Sequence, residues 1–98
     1  MIALTFEAAA QVAALEQFYV DRQRAAALRN LGYALAEASL IILNAPERGT
    51  RAPSPYPSLE AFRLSWIKRG RYWIAYDALI PIIAGVFFDT DDIPNRIL

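Results

Sequence analysis

Four prolines fall within fifteen residues: Pro46, Pro53, Pro55 and Pro57, in the run NAPERGTRAPSPYPS (44–58). Proline fixes φ and has no backbone N–H to donate, so neither a helix interior nor a central strand passes through such a run. The chain is therefore divided into two parts by a loop. That loop is stiffened by its own prolines and can drape over the domain.

Before the loop the apolar residues follow helical spacing. Ile2, Leu4 and Phe6 first alternate with Ala3 and Thr5, as in a short half-buried strand, and Thr5 is placed to cap a helix beginning just after it. Val12, Leu15 and Tyr19, with Phe18 beside them, predict a helix from Glu7 to Val20 with Glu7 in its first turn, where a negative charge suits the helix dipole. After the polar joint Asp21-Arg22-Gln23, the residues Leu28, Leu31, Leu35, Ala38 and Ile42 predict a longer helix from Arg24 to Leu43. Asn44 and Pro46 end it. A joint this short implies an antiparallel helical hairpin over 7–43.

After the loop the spacing becomes that of strands. Three runs are expected: Leu59–Ile67, Arg71–Asp77 and the almost wholly apolar Leu79–Phe88, which suits a central strand with Pro81 at its start. Lys68-Arg69-Gly70 is a basic turn between the first two, and Asp77-Ala78 a second turn. The predicted architecture is one α+β domain spanning 1–98, in the order β-α-α-β-β-β. A β-meander over 59–88 forms an antiparallel sheet packed against the helical hairpin, and a polar tail, 89–98, ends in a short apolar plug. One sheet face takes the helices, and the other is left with fewer covers.

Composition narrows the chemistry. The 98 residues contain neither cysteine nor histidine, which removes disulfides, thiol and imidazole catalysis and ordinary zinc sites. No cofactor or metal is expected. The first residues carry no basic targeting segment, and Leu79–Phe88 is far short of the ~20 residues that span a bilayer, so no membrane role and a cytoplasmic location are expected. A hydrophobic share of 56% is above the average for soluble domains. It fits either a tightly packed core or apolar surface awaiting a partner. Helix two is apolar around most of its circumference at Leu40, Ile41 and Leu43, which marks these as candidate partner-binding residues. The net charge of zero hides a pattern: residues 1–21 carry three acids and no base, residues 22–71 nine bases against three acids, and residues 72–98 four acids against one base. This predicts a basic middle surface.

The richest constellation is FRLSWIKRGRYWIAY (62–76), where Arg63, Lys68, Arg69 and Arg71 interleave with aromatics that include Trp73. Such a set can hold phosphates and stack bases, or anchor a protein interface. Aromatic cross-strand pairs beside a basic turn account for the same residues. Asp77, Asp89, Asp91 and Asp92 read as a hydrated acidic turn more readily than as paired catalytic carboxylates. Gly49, Gly70 and Gly85 are isolated and build no phosphate loop.

The whole chain resembles the RelE/ParE toxins of bacterial type II toxin–antitoxin systems. The matching features come in order: a short strand, a helix opening with Glu7-Ala8, and a long helix closing as Ile42-Leu43-Asn44-Ala45-Pro46-Glu47-Arg48-Gly49. They continue with a leucine–arginine run at 59–64, the strand Gly70-Arg71-Tyr72-Trp73-Ile74-Ala75-Tyr76, and a terminal strand Ile82–Phe88 followed by Asp89. Ribonuclease-type members usually have arginine where Trp73 stands, and tyrosine or histidine near the C-terminus, where this chain has Phe88. In-line RNA cleavage needs a base and an acid as well as positive charge. The resemblance therefore implies a ParE-like toxin that binds DNA gyrase and is neutralised by a cognate antitoxin. On that reading Arg63, Lys68, Arg69, Arg71 and Trp73 face the target and Leu40, Ile41 and Leu43 face the antitoxin, with no sequence-specific nucleic-acid binding. The alternatives are a RelE-type ribosome-dependent mRNA endoribonuclease and a non-toxic interaction module of the same fold.

Overall fold

The computed structural model describes residues 1–97, with the side chain of Ile97 and the whole of Leu98, the apolar end of the tail, outside the described residues. Its elements run β1 (Ala3–Leu4), α1 (Phe6–Asp21), α2 (Ala25–Asn44), a 3-10 turn at Pro46–Arg48, a 3-10 helix at Pro57–Phe62, β2 (Ser65–Arg69), β3 (Tyr72–Asp77), β4 (Ile82–Phe88) and α3 (Ile93–Ile97). The protein is an α+β domain with a four-stranded sheet in the order β1-β4-β3-β2. β2, β3 and β4 form the expected antiparallel meander. β1 pairs with β4 in parallel, Ala3 opposite Ile82 and Leu4 opposite Ile83, so the sheet is mixed and the expectation of a purely antiparallel sheet is corrected. The helical hairpin carries the chain away from β1 and the meander returns its last strand beside it, which makes β4 central.

The hairpin forms for the reasons its sequence suggests. The hydroxyl of Thr5 accepts from the N–H of Ala8 at 3.1 Å and caps α1. Leu31, Ala34, Leu35, Ala38 and Ile42 are buried along one face of α2, with Leu28 half-buried. They pack with Val12 and Tyr19 of α1 against Ile67, Ile74, Tyr76, Ile83 and Val86 of the sheet. Phe6, read as part of a strand, is instead the first residue of α1 and stands exposed. α2 is also the one helix among the described residues that is long and apolar enough to cross a membrane by length and composition, yet its apolar stripe is applied to the sheet.

Three further expectations are corrected. The run Leu59–Ile67 is not one strand. Pro57 opens a 3-10 helix through Phe62, Arg63 takes the left-handed conformation at φ 57°, and only Ser65–Arg69 joins the sheet. Pro57 supplies a helical φ at the first position, and the left-handed residue reverses the chain into the strand. The run Leu79–Phe88 begins as a turn: the Asp77 carboxylate accepts from the N–H groups of Leu79 at 2.9 Å and Ile80 at 3.2 Å, and β4 starts only at Ile82. The second sheet face is not short of cover either. Trp66, Ala75 and Phe87 pack there against Leu59 and Ile93, with Ala52, Tyr56 and Leu64 around them and Pro53 fully buried. Thr50 extends the edge of β2, exchanging two backbone hydrogen bonds of 2.8 Å with Trp66, and the Tyr56 hydroxyl donates to the Asp91 carbonyl at 3.1 Å. The proline-rich loop is thus the third layer of the domain, and much of the apolar excess belongs to a second small core.

Candidate binding cleft and apolar end

α1 starts beside the middle of β4 and ends beside Phe88, while α2 runs back the other way. The α1–α2 joint therefore meets the β2–β3 turn at one end of the domain. Tyr19 and Tyr72, 53 residues apart, are both buried there with their hydroxyls 2.5 Å from each other. Phe88 fixes both rings, stacking on Tyr72 at 5.2 Å and meeting Tyr19 edge-on at 6.2 Å. Burial first, and then the hydrogen bond and proximity to Tyr19, push the Tyr72 phenol well above its ordinary value, while the Arg71 and Arg24 guanidiniums pull it the other way. Burial thus holds the Tyr72 phenol in its neutral form, and in its contact with Tyr19 either hydroxyl can be the donor.

The tyrosine pair forms the floor of a cleft of about 430 Å³ between α2 and the β2–β3 turn, with Arg24, Asn30, Tyr33, Glu37 and Arg71 on its walls. Arg24 also lies 6.0 Å from the centre of the Tyr19 ring, and Arg22 is engaged 3.8 Å above Phe18. The site offers two guanidiniums, phenolic donors and one carboxylate, a set suited to binding an anion.

The basic and aromatic residues singled out in the sequence are divided. Arg71 lines the cleft. Arg69 pairs with Tyr72 on the helix-facing side of the sheet. Lys68 pairs with Trp73 on the opposite side, and its ammonium lies 3.4 Å from the Asp89 carboxylate. Arg63 is exposed at the left-handed end of the 3-10 helix. One flat surface therefore does not carry all five. Lys68, Arg69 and Trp73 do share a shallower groove with Ile41 and Arg48 along the β2 edge.

The four aspartates are occupied locally. Asp77 holds the turn before β4, Asp89 faces Lys68, Asp91 accepts from the Phe88 N–H at 2.9 Å and lies 3.6 Å from Arg96, and Asp92 accepts from Asn95 at 2.6 Å. No cluster of potential metal ligands occurs among the described residues.

The other end of the domain is apolar. Ile2 donates to Ser39 at 3.4 Å and the Tyr76 hydroxyl donates to the Pro46 carbonyl at 2.6 Å, which brings the end of α2 to the β3–β4 turn. Leu40 (61% exposed), Leu43 (56%), Leu79 (94%) and Ile80 (66%) stand open to solvent in this region. Ile41 differs, packing partly against the main core. Tyr33, Leu40 and Leu43 are spaced by seven and three residues, so they form an outer apolar stripe on α2 opposite its buried one.

Sequence reading alone missed Tyr19, Arg24, Asn30, Tyr33 and Glu37 as site residues. A signal existed for the first: Tyr19 lies on the inward stripe of α1, and a buried tyrosine needs a partner for its hydroxyl. No protein-family model, curated protein or solved structure matches this chain.

Proposed function

We propose that the domain is a ParE-like toxin of a type II toxin–antitoxin system: a cytoplasmic protein of the RelE/ParE arrangement that inhibits growth by binding a macromolecular target, DNA gyrase by resemblance, and is neutralised by a cognate antitoxin. The observation that carries the binding part of this reading is the outer apolar stripe of α2 with Leu79 and Ile80 near its end. Exposed apolar side chains repeated along one helix face mark interaction sites, and an amphipathic segment of an antitoxin suits them. The order β-α-α-β-β-β supports the resemblance noted in the sequence. The lack of histidine favours binding over the ribonuclease alternative, since in-line cleavage requires a group that takes up a proton.

The test is expression of the chain with and without the product of the adjoining reading frame, followed by gyrase supercoiling and ribosome-bound mRNA cleavage assays on purified protein. Growth inhibition, relief by the neighbour and loss of supercoiling are expected, with no cleavage. Replacing Leu40 and Leu43 by aspartate should abolish relief without unfolding the domain. Defined mRNA cuts would transfer the chain to the ribonuclease class, and harmless expression would leave the non-toxic module.

A further inference from the structure

The cleft at the basic end has donors that nothing within the domain accepts. The Tyr19–Tyr72 contact joins two hydroxyls, each with one proton, and one bond uses only one of them. Both residues are more than nine-tenths buried, both line the cleft, and neither hydroxyl has a further acceptor among the described residues. An unmatched donor at such a site costs free energy unless a ligand or water accepts from it. A second observation points the same way. No side chain caps the start of α2, its first turn holds no acid, and the first intrahelical bond is donated by Leu28 to Arg24. The N–H groups of Ala25, Ala26 and Ala27 therefore lack intrahelical acceptors, and Ala26 and Ala27 line the same cleft. A twenty-residue helix adds roughly half a positive charge there. Arg24 and Arg71 line the same cleft, and the Arg24 guanidinium lies 6.0 Å from the centre of the Tyr19 ring.

We propose that this cleft binds the phosphate of a nucleoside monophosphate, gripped by Arg24, Arg71, the open start of α2 and the free tyrosine proton, with the base lying along α2 against Tyr33 and Asn30. Helix N-termini and guanidiniums both suit a phosphate group, and here they meet over one floor. The volume of about 430 Å³ lies within the range of small-molecule pockets. α2 rises 1.5 Å per residue, so Asn30 stands about 9 Å and Glu37 about 20 Å along the axis from Arg24. The first distance suits a base attached to a phosphate held at Arg24. The second places a carboxylate on the same wall, where it repels the phosphates of a longer strand continuing along α2, which favours a mononucleotide over a polynucleotide.

The experiment is a titration of the ¹⁵N-labelled full chain, followed by amide shifts, with adenosine, guanosine, cytidine and uridine 5′-monophosphates, inorganic phosphate, the four nucleosides and a short RNA lacking a terminal phosphate. At least one nucleotide should shift the amides of Ala25–Ala27 and Gly70–Tyr72 and saturate. Phosphate should shift the same amides more weakly, and the nucleosides should leave them in place. Arg71→Ala should weaken nucleotide binding about tenfold or more, the loss expected for one charged hydrogen-bond partner. Tyr19→Phe with Tyr72→Phe, which keeps both rings and removes both hydroxyls, should weaken it several-fold. Three results overturn the proposal: no shift at Ala25–Ala27 with any nucleotide up to about 10 mM, beyond which binding is negligible; nucleosides matching their monophosphates; or Arg71→Ala binding as wild type. RNA binding more tightly than every mononucleotide at these amides would overturn the mononucleotide assignment in favour of a strand.

Discussion

Leu59→Ala asks whether the proline-rich loop is a true layer of the fold or a loose cover. Leu59 is 1% exposed and packs in the second core with Trp66, Ala75, Phe87 and Ile93. The substitution deletes about three carbons' worth of side chain, at about 0.8 kcal/mol each for lost burial, or roughly 2.4 kcal/mol. A cavity term adds to this, and Leu→Ala changes at fully buried sites cost about 3–5 kcal/mol in all. A domain of this size has about 5–10 kcal/mol to lose, so the variant should stay folded with its melting temperature lowered by about 15 °C. Urea unfolding followed by tryptophan fluorescence is the assay, because Trp66 is itself buried in this cluster. The midpoint should fall with the slope unchanged. Leu40→Ala is the control: its side chain is 61% exposed, and the expected change is within about 0.5 kcal/mol. A Leu59→Ala cost below about 1 kcal/mol would refute the reasoning, since it is less than the burial term alone. The second sheet face would then be an open apolar surface.

Alkaline unfolding should be steep. Burial raises both Tyr72 and Tyr76, so above about pH 10 the unfolded chain loses protons that the folded one keeps, and stability falls by up to about 1.4 kcal/mol per pH unit for each. Stability between pH 7 and 9 should be flat in these two groups, and Tyr72→Phe with Tyr76→Phe should remove the alkaline slope in denaturant midpoints measured across pH 9–12. Gly85→Ala should destabilise by about 1–3 kcal/mol in thermal melts, because the new Cβ meets the buried Phe87 ring at 2.7 Å. Arg69→Ala with Arg71→Ala should leave the melting temperature nearly unchanged and abolish growth inhibition; full toxicity in the folded double variant would remove these residues from the target surface.

The helices were legible because their apolar spacing is strong and their ends are marked chemically, by Thr5 at one and by Pro46 at the other; Asn44, read as the left-handed terminator, is instead the last residue of α2, and Ala45 caps it at φ −149°. The β2–β3 turn was legible from Gly70, whose φ of 58° suits a residue without a Cβ. The segment 57–67 misled because Leu59, Phe62 and Trp66 satisfy more than one period, and the deciding residue, Arg63 in the left-handed conformation, carries no sequence mark as glycine would. Leu79 and Ile80 read as strand by composition, but the Asp77 carboxylate claims their N–H groups for a turn. The cleft was harder to read. Tyr19 and Tyr72 are each ordinary in their own element, and only the packing of α1 across β4 brings their hydroxyls together. The density of charge at 62–76 suggests a single surface, whereas alternation in a strand sends neighbouring side chains to opposite faces. Lys68 and Arg69 therefore lie on opposite faces and come together only in the groove along the β2 edge.

The division of the molecule into two ends comes from how α2 is used. Its inner stripe is occupied by the sheet along its length, through Leu31, Leu35, Ala38 and Ile42. Its outer surface has no such uniform demand. The first turns lie over the β2–β3 turn, where Arg71 and the tyrosines make a polar floor, and the last turns lie near the β3–β4 turn, where Leu79 and Ile80 are apolar. Twenty residues of helix separate these surroundings by about 30 Å. One helix can therefore present an anion site and an apolar docking stripe without either crowding the other. Tyr33 is the exception, since it lines the cleft and begins the stripe.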